Sequence, residues 1–163
     1  MSMAHKVRTT QIATQLIANG VTIPLPTDQY VQLLGLQFLY TATGVGVARN
    51  VYAYITNRDG SVIYTVGDLS VITAGAATRV CFSPQFHAPG TMDIGGGPTS
   101  FLPLPSFWLP EGCSLALWSA NAQAADTISQ GALTWRAAPP EYLIGERERV
   151  FDDVLEALRT HGR

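Results

Sequence analysis

Between Tyr30 and Thr41 the chain runs Tyr-Val-Gln-Leu-Leu-Gly-Leu-Gln-Phe-Leu-Tyr-Thr. In an extended chain successive side chains point to opposite faces. Leu34, Leu36, Phe38 and Tyr40 then share one face, and Leu33 and Leu39 share the other. Apolar residues on both faces predict a strand in the interior of a sheet rather than at its edge. The body around this run repeats the theme of short β-rich stretches and tight turns. Asn50–Thr56 and Ser61–Val66 flank Asn57-Arg58-Asp59-Gly60, and Asp-Gly between two such stretches is a strong hairpin signal. Further stretches follow at 69–73, 78–82, 114–119, 127–129 and 131–136. No helical insert separates them, which predicts an antiparallel all-β fold. Eight to ten strands with long crossing connections predict a two-sheet sandwich of the jelly-roll or Greek-key type.

Three segments follow from the pattern. Residues 1–20 read as an N-terminal arm or short helix, with Ile12, Leu16 and Ile17 near one helical face and Gly20 as its stop. Residues 21–138 read as the β-sandwich domain. Residues 139–163 read as a C-terminal helical extension beyond the Pro139-Pro140 hinge. There Ile144, Phe151, Leu155 and Leu158 fall near one stripe, which predicts a C-terminal α-helix with an apolar face to dock. Within the body, residues 83–112 hold six of the ten prolines. A stretch of that length without regular structure reads as a contact-forming loop.

Charge is distributed unevenly. Of 22 charged residues, 10 lie in the last 23 positions, leaving 12 for the first 140. Free protein surfaces carry roughly 25–35% charged side chains, whereas interface cores are depleted in them. The body therefore reads as a piece of an assembly, a homo-oligomer or a subunit covered by others. A net charge of −2 supplies no basic field for nucleic acid. No apolar run reaches 18 residues, so no membrane span is expected. The segment after Arg8 is too polar for a secretory signal.

Sites of chemistry are sparse. Asp93-Ile-Gly-Gly-Gly97-Pro98 is glycine-rich, but no Lys-Ser/Thr follows and no helix opens, so neither nucleotide fingerprint is met. Cys81 and His87 are six residues apart across Ser83-Pro84 with nothing to orient the imidazole, which argues against a nucleophile–base pair. Three widely spaced histidines (His5, His87, His161) give no metal-ligand spacing. Asp68, Asp93, Glu111 and Asp126 form no local acid pair. No enzyme activity, cofactor or metal is expected. Cys81 and Cys113 each sit in an apolar stretch and read as buried thiols, while a bridge between them stays open. The candidate partner contacts are Phe107, Trp108 and Leu109 in the proline-rich stretch, with Phe151, Leu155 and Leu158 in the extension.

The run Leu102-Pro-Leu-Pro-Ser-Phe-Trp-Leu-Pro-Glu-Gly-Cys-Ser-Leu115, followed by Ala124-Ala-Asp-Thr-Ile128, resembles small virion structural proteins of tailed bacteriophages. A Leu-Pro-x-Gly turn leads into a strand and a small-residue turn follows it; the likeness spans about residues 30–137. The resemblance implies a β-sandwich at a repeated position on the particle, as decoration, collar or head–tail junction component. It implies capsid, portal or connector subunits as partners, and a location on the virion after assembly in the host bacterial cytoplasm. A carbohydrate- or host-receptor-binding sandwich is the alternative, using the 83–112 stretch.

Overall fold

The computed structural model describes residues 6–67, 72–86, 90–93 and 97–139. Every regular element among them is a strand. In chain order these are β1 (Val7–Ile12), β2 (Gln15–Leu16), β3 (Val21–Pro24), β4 (Tyr30–Thr41), β5 (Asn50–Thr56), β6 (Val62–Gly67), β7 (Ala77–Ser83), β8 (Gly90–Asp93), β9 (Pro98–Pro103), β10 (Ser114–Ala120) and β11 (Thr127–Ala138).

They form two sheets. The larger, sheet A, has the order β1-β11-β4-β7-β9-β8, with β2 also paired to β11. Sheet B has the order β3-β10-β5-β6. The chain crosses between sheets at β2–β3, β3–β4, β4–β5, β6–β7, β9–β10 and β10–β11, the pattern of a sandwich whose inner faces share one core. Most of that core is apolar: Leu36, Phe38, Phe82, Leu102 and Leu133 from sheet A meet Ile23, Val51, Ile55, Leu115 and Leu117 from sheet B, all buried. Each such side chain contributes about 1.5–3 kcal/mol when fully buried.

Strand β4 lies between β11 and β7, inside sheet A. Its register against β11 slips between Thr134–Gly35 and Trp135–Leu33, so Leu34 is the extra residue of a bulge. The bulge reverses the alternation. Val31 and Leu33 point inward on one side of it, and Leu36, Phe38 and Tyr40 on the other. Strict alternation had placed Leu34 with the second group; it is Leu33 that is buried.

The hairpin between β5 and β6 closes as expected. Asn57 N–H bonds the Ser61 carbonyl at 2.8 Å, Gly60 N–H bonds the Asn57 carbonyl at 2.9 Å, and the Asp59 carboxylate accepts from Ser61 N–H at 2.9 Å.

Four expectations change. The C-terminal α-helix is not part of the fold described: no helix occurs among the described residues, and the last strand ends at Ala138. An apolar stripe at helical spacing marks a face, not an element, and this sandwich fills its core between two sheets without one. Residues 140–163, including Phe151, Leu155 and Leu158, lie outside the described residues. Near the N-terminus, β1 pairs with β11 from Val7–Arg136 to Ile12–Gly131. Ile12 and Ile17 are buried while Leu16 is exposed, because a break at Ala13-Thr14 resets the two-residue period between β1 and β2. The 83–112 stretch contains two strands, β8 and β9, with Pro98 and Pro103 at the ends of β9 where a missing N–H is tolerated. Finally, β7 and β9 run parallel, Arg79 opposite Thr99 through Ser83 opposite Pro103. The long connection between them supplies the crossover that parallel neighbours require.

Candidate functional site

The described residues divide the sandwich into two unlike ends. At one end lie the β4–β5 loop (42–49), residues 72–76 before β7, and the β10–β11 loop (120–126). Only two charged residues occur in these three segments, Arg49 and Asp126. Both side chains are 0% exposed, with Nε 2.9 Å from Oδ2. Arg49 sits just before β5 of sheet B and Asp126 just before β11 of sheet A, so the pair ties the two sheets together. Exchange of backbone bonds between Arg49 and Ile72, at 3.0 and 2.9 Å, fixes the position of Arg49. Ile17 N–H donates to the Asp126 carbonyl at 3.1 Å.

A buried ion pair is stable only when its remaining donors and acceptors are filled. Here they are. Asp126 accepts from Thr43 N–H at 2.8 Å, the Thr43 hydroxyl at 2.9 Å, Gln123 N–H at 2.9 Å and the Tyr40 hydroxyl at 3.1 Å. Arg49 Nη2 donates to the carbonyls of Val45 at 2.7 Å and Thr43 at 3.3 Å, and Nη1 donates to the carbonyl of Val47. Tyr40 OH also lies 3.0 Å from the Ser119 hydroxyl. Burial alone would raise the Asp126 pKa, but the bonds from Arg49, Gln123 and Thr43 outweigh it and hold the carboxyl well below the usual range. Burial pushes the Tyr40 phenol up to about 12, against the opposing bond to Ser119 and with the Asp126 charge adding to the rise. The Arg49 pKa is raised, chiefly by its bond to Asp126. Nothing here presents a nucleophile or base to solvent; the network is a structural tie that also fixes the loop around it.

The same half of the molecule carries an aromatic shelf. On the outer face of sheet B, Trp118 pairs with Tyr52, their rings 5.4 Å apart and tilted by 42°. Trp118 is 40% exposed. Tyr52 also lies over Gly67, where an added Cβ would come within 2.7 Å of the ring; glycine leaves room for the ring to lie flat on the sheet. Around the pair stand Thr22, Tyr54, Thr65 and Ala116, with Thr56 and Ser114 joined through their hydroxyls at 2.8 Å. No residue of β3, β5, β6 or β10 is charged.

The opposite end is different. It carries Asp28, the Arg58-Asp59 hairpin and Glu111. The 104–110 segment lies here, and three of the expected contact residues with it. Phe107 is 49% exposed. Trp108 is half-buried, with the Arg136 guanidinium 5.2 Å from its ring centroid. Arg136 Nε in turn donates to Gln32 Oε1 at 2.6 Å, and Gln32 Nε2 donates to the Ser106 carbonyl. Leu109 is fully buried and exchanges backbone bonds with Val31. It belongs to the chain's own core and offers no side-chain surface to a neighbour, because that bridge draws the segment over the sandwich end. Phe151, Leu155 and Leu158 lie outside the described residues, as does His87.

A groove of about 400 Å³ opens on sheet A where β4 bulges, lined by Leu34, Gly35, Cys81, Phe86, Ala132 and Thr134 among others. Cys81 and Cys113 are free thiols. Burial pushes both up, with Arg79 partly opposing it at Cys81. Among the described residues no cluster of three or more His, Cys, Asp or Glu could hold a metal ion.

The Arg49–Asp126 tie went unseen in the sequence because its members are 77 positions apart. The only trace was two lone charges, each just ahead of an apolar strand. The shelf was missed because Tyr52 and Trp118 read as ordinary strand residues until register set them side by side.

No family model matches the chain, and no curated protein resembles it in sequence. Similar solved structures come from infectious bursal disease virus. A VP2 subviral particle shows 16% identity and a TM-score of 0.39, covering 83% of this chain and 33% of that one. The Gx strain shows 15% identity and 0.37, covering 80% and 32%. The T13 viral particle shows 14% identity and 0.39, covering 80% and 30%. This chain thus spans about a third of the length of those chains, and at such TM-scores the likeness carries no argument about function.

Proposed function

We propose that the chain is a structural subunit of a bacteriophage particle, a decoration, collar or head–tail junction component that acts by protein–protein adhesion and has no catalytic role. One observation carries the adhesive part: the strands of sheet B hold no charged residue, and the only two charges of the adjoining 42–49, 72–76 and 120–126 segments, Arg49 and Asp126, neutralise each other in the interior. Apolar area at such a face is worth about 25 cal/mol per Å² when a neighbour removes it from water, before association costs. The phage part rests on the resemblance of residues 102–128 to tailed-phage virion proteins, with capsid, portal or connector subunits as partners and the virion, assembled in the host bacterial cytoplasm, as location.

A second reading, binding of a carbohydrate or host receptor, is favoured by the Tyr52–Trp118 pair beside the Thr56 and Ser114 hydroxyls. Stacking rings next to hydroxyl donors form a mostly apolar site with a few orienting polar groups.

One experiment separates the two. The purified chain is mixed with capsid, portal and connector proteins of a tailed phage and centrifuged, and the same preparation is applied to a glycan array. Co-sedimentation that is lost in Trp118→Asp supports the structural role. Glycan binding that is lost in Trp118→Asp, with no co-sedimentation, overturns it in favour of the second reading.

A further inference from the structure

Strand β4 is apolar on both faces, and sheet B covers one of them. The other face of sheet A carries the groove of about 400 Å³ at the bulge, lined by Leu34, Gly35, Cys81, Phe86, Ala132 and Thr134 among others, these six each only partly buried. Phe101, opposite Cys81 in the β7–β9 register, extends this apolar surface, its ring edge-on to Phe86 at 5.1 Å. An antiparallel strand with one side in water normally alternates apolar and polar side chains; β4 instead puts Leu34 and Leu39 on its outer side. The strands of sheet A also carry three arginines, Arg8, Arg79 and Arg136, against one acid, Asp93 at the end of edge strand β8. Arg136 lies two residues from Thr134 and Arg79 two residues from Cys81, so both flank the groove on its own face. The groups that hold them are neutral: Gln32 and the Trp108 ring for Arg136, and Gln130 at 3.4 Å for Arg79.

We propose that residues 140–163 of the same chain cover this groove, with Phe151 and Leu155 filling it. Position, length and charge select this occupant. Strand β11 lies beside β4 and ends at Ala138, four residues beyond Thr134, about 13 Å along the strand. Pro139 and Pro140 have no N–H with which to continue the ladder, so the chain leaves the sheet next to the groove. Phe151 is 13 residues past Ala138, and even at about 1.5 Å per residue such a length spans about 20 Å. Reach is therefore sufficient. Between Glu141 and Glu156 the chain holds six acidic residues and two arginines, the sign opposite to that of the arginines flanking the groove. Complementary charge orients and selects more than it binds, and burial of the apolar side chains supplies the affinity. A tether at the edge of the groove also gives the segment a local concentration that a separate partner lacks. Adhesion through sheet B uses the opposite outer face of the sandwich and does not depend on this contact.

Thiol labelling of the full chain tests this, because Cys81 lies in the groove and Cys113, buried elsewhere, reports on the fold. The two rates are read by mass spectrometry of peptides, on the wild type and on Phe151→Ser/Leu155→Ser. The double variant is expected to label Cys81 at least about tenfold faster, as when access no longer waits on a local opening, with Cys113 unchanged. In Phe151→Cys, a short bismaleimide is expected to join the introduced thiol to Cys81 within one chain. An unchanged Cys81 rate in the double variant overturns the proposal. If both thiols accelerate together, the double variant has lost its fold, and the cross-link in Phe151→Cys decides. A cross-link between two chains overturns the proposal and assigns the groove to the extension of a second copy; no cross-link to Cys81 overturns it outright. The adhesive reading stands in each case and is decided separately by co-sedimentation.

Discussion

The two ends of this sandwich are built from the same kind of loop and solve opposite problems. At the hairpin end, Arg58, Asp59 and Glu111 stand in solvent, and the turn is held by short-range bonds such as Asp59 to Ser61. In the 42–49, 72–76 and 120–126 segments at the other end the charges have been withdrawn. Arg49 and Asp126 are buried and satisfied by each other and by the loop backbone, while valines, alanines and glycines face out. The hairpin end is a surface made for water. The 42–49, 72–76 and 120–126 segments at the other end use their two charges as internal struts and expose uncharged side chains, which water solvates poorly and a protein neighbour covers well. Placement of charge, more than its amount, distinguishes the two.

The comparison breaks most visibly when a strut is removed. Asp126→Ala leaves the Arg49 guanidinium buried without its counter-charge, and a loss of about 3–5 kcal/mol in urea unfolding is expected. Asp59→Asn, at the hairpin end, is expected to leave the unfolding midpoint nearly unchanged. Similar losses at the two ends would mean that the buried pair is no more than another surface contact.

Replacing both struts sharpens the point. Arg49→Met with Asp126→Leu exchanges a paired ion for packed apolar groups, a change that is often neutral or stabilising, so most of the single-variant loss should return. The carbonyls of Thr43, Val45 and Val47 then lose their donor. Amide exchange at Thr43–Ala48 is expected to speed up while the strands stay protected. Unchanged exchange there would remove the clamp from the account of the loop.

The pH response should also be polarised. The folded-state pKa of Asp126 is depressed below its ordinary value of about 3.9, so its contribution is complete above that value. It is lost as pH falls toward the lowered folded value, where protonation first favours the unfolded chain. Tyr40 works in the opposite direction. Its folded pKa, raised to about 12, makes its contribution complete below about 10, the ordinary tyrosine value, and lost as pH rises from there through 12. Melting measured across both ranges in Asp126→Asn and Tyr40→Phe should show the acid and alkaline slopes flattened, respectively. An acid slope that survives in Asp126→Asn would place the sensitive carboxylate elsewhere.

Much of the body could be read in advance. The interior position of β4 followed from apolar residues on both its faces, and the 57–61 hairpin from Asp-Gly between β-rich runs. Both are local signals. What the chain concealed was non-local. The bulge at Leu34 depends on a slip against Thr134-Trp135, a partner about a hundred positions away. The parallel pairing of β7 with β9 depends on how the intervening chain returns, and β1 looked helical because Ile12, Leu16 and Ile17 satisfy a helical period as well as an interrupted strand. At the site, Phe107 and Trp108 were visible as aromatics in a proline-rich segment, but Leu109 belongs to the core through its bridge to Val31. The Arg49–Asp126 strut and the Tyr52–Trp118 shelf exist only in the folded register.

The smallest expected effect lies with the thiols. Cys81 is half-buried in the sheet A groove and Cys113 is buried, so a thiol reagent should modify Cys81 first and both slowly at neutral pH, since burial raises both pKa values. Faster reaction at Cys113 would mean that the hairpin end opens more readily than its packing suggests.

The central claim is that uncharged surface drives this chain's associations, and salt tests it directly. Exposed charge–charge contacts are screened within about 10 Å at 0.1 M salt and about 3 Å at 1 M, whereas apolar burial is not weakened by such screening. Sedimentation of the full chain with itself, and with phage particle proteins, is measured between those two salt concentrations. Association that holds or strengthens at high salt is the expected result. Association that disappears as salt rises would contradict it and assign the contact to the charged end instead.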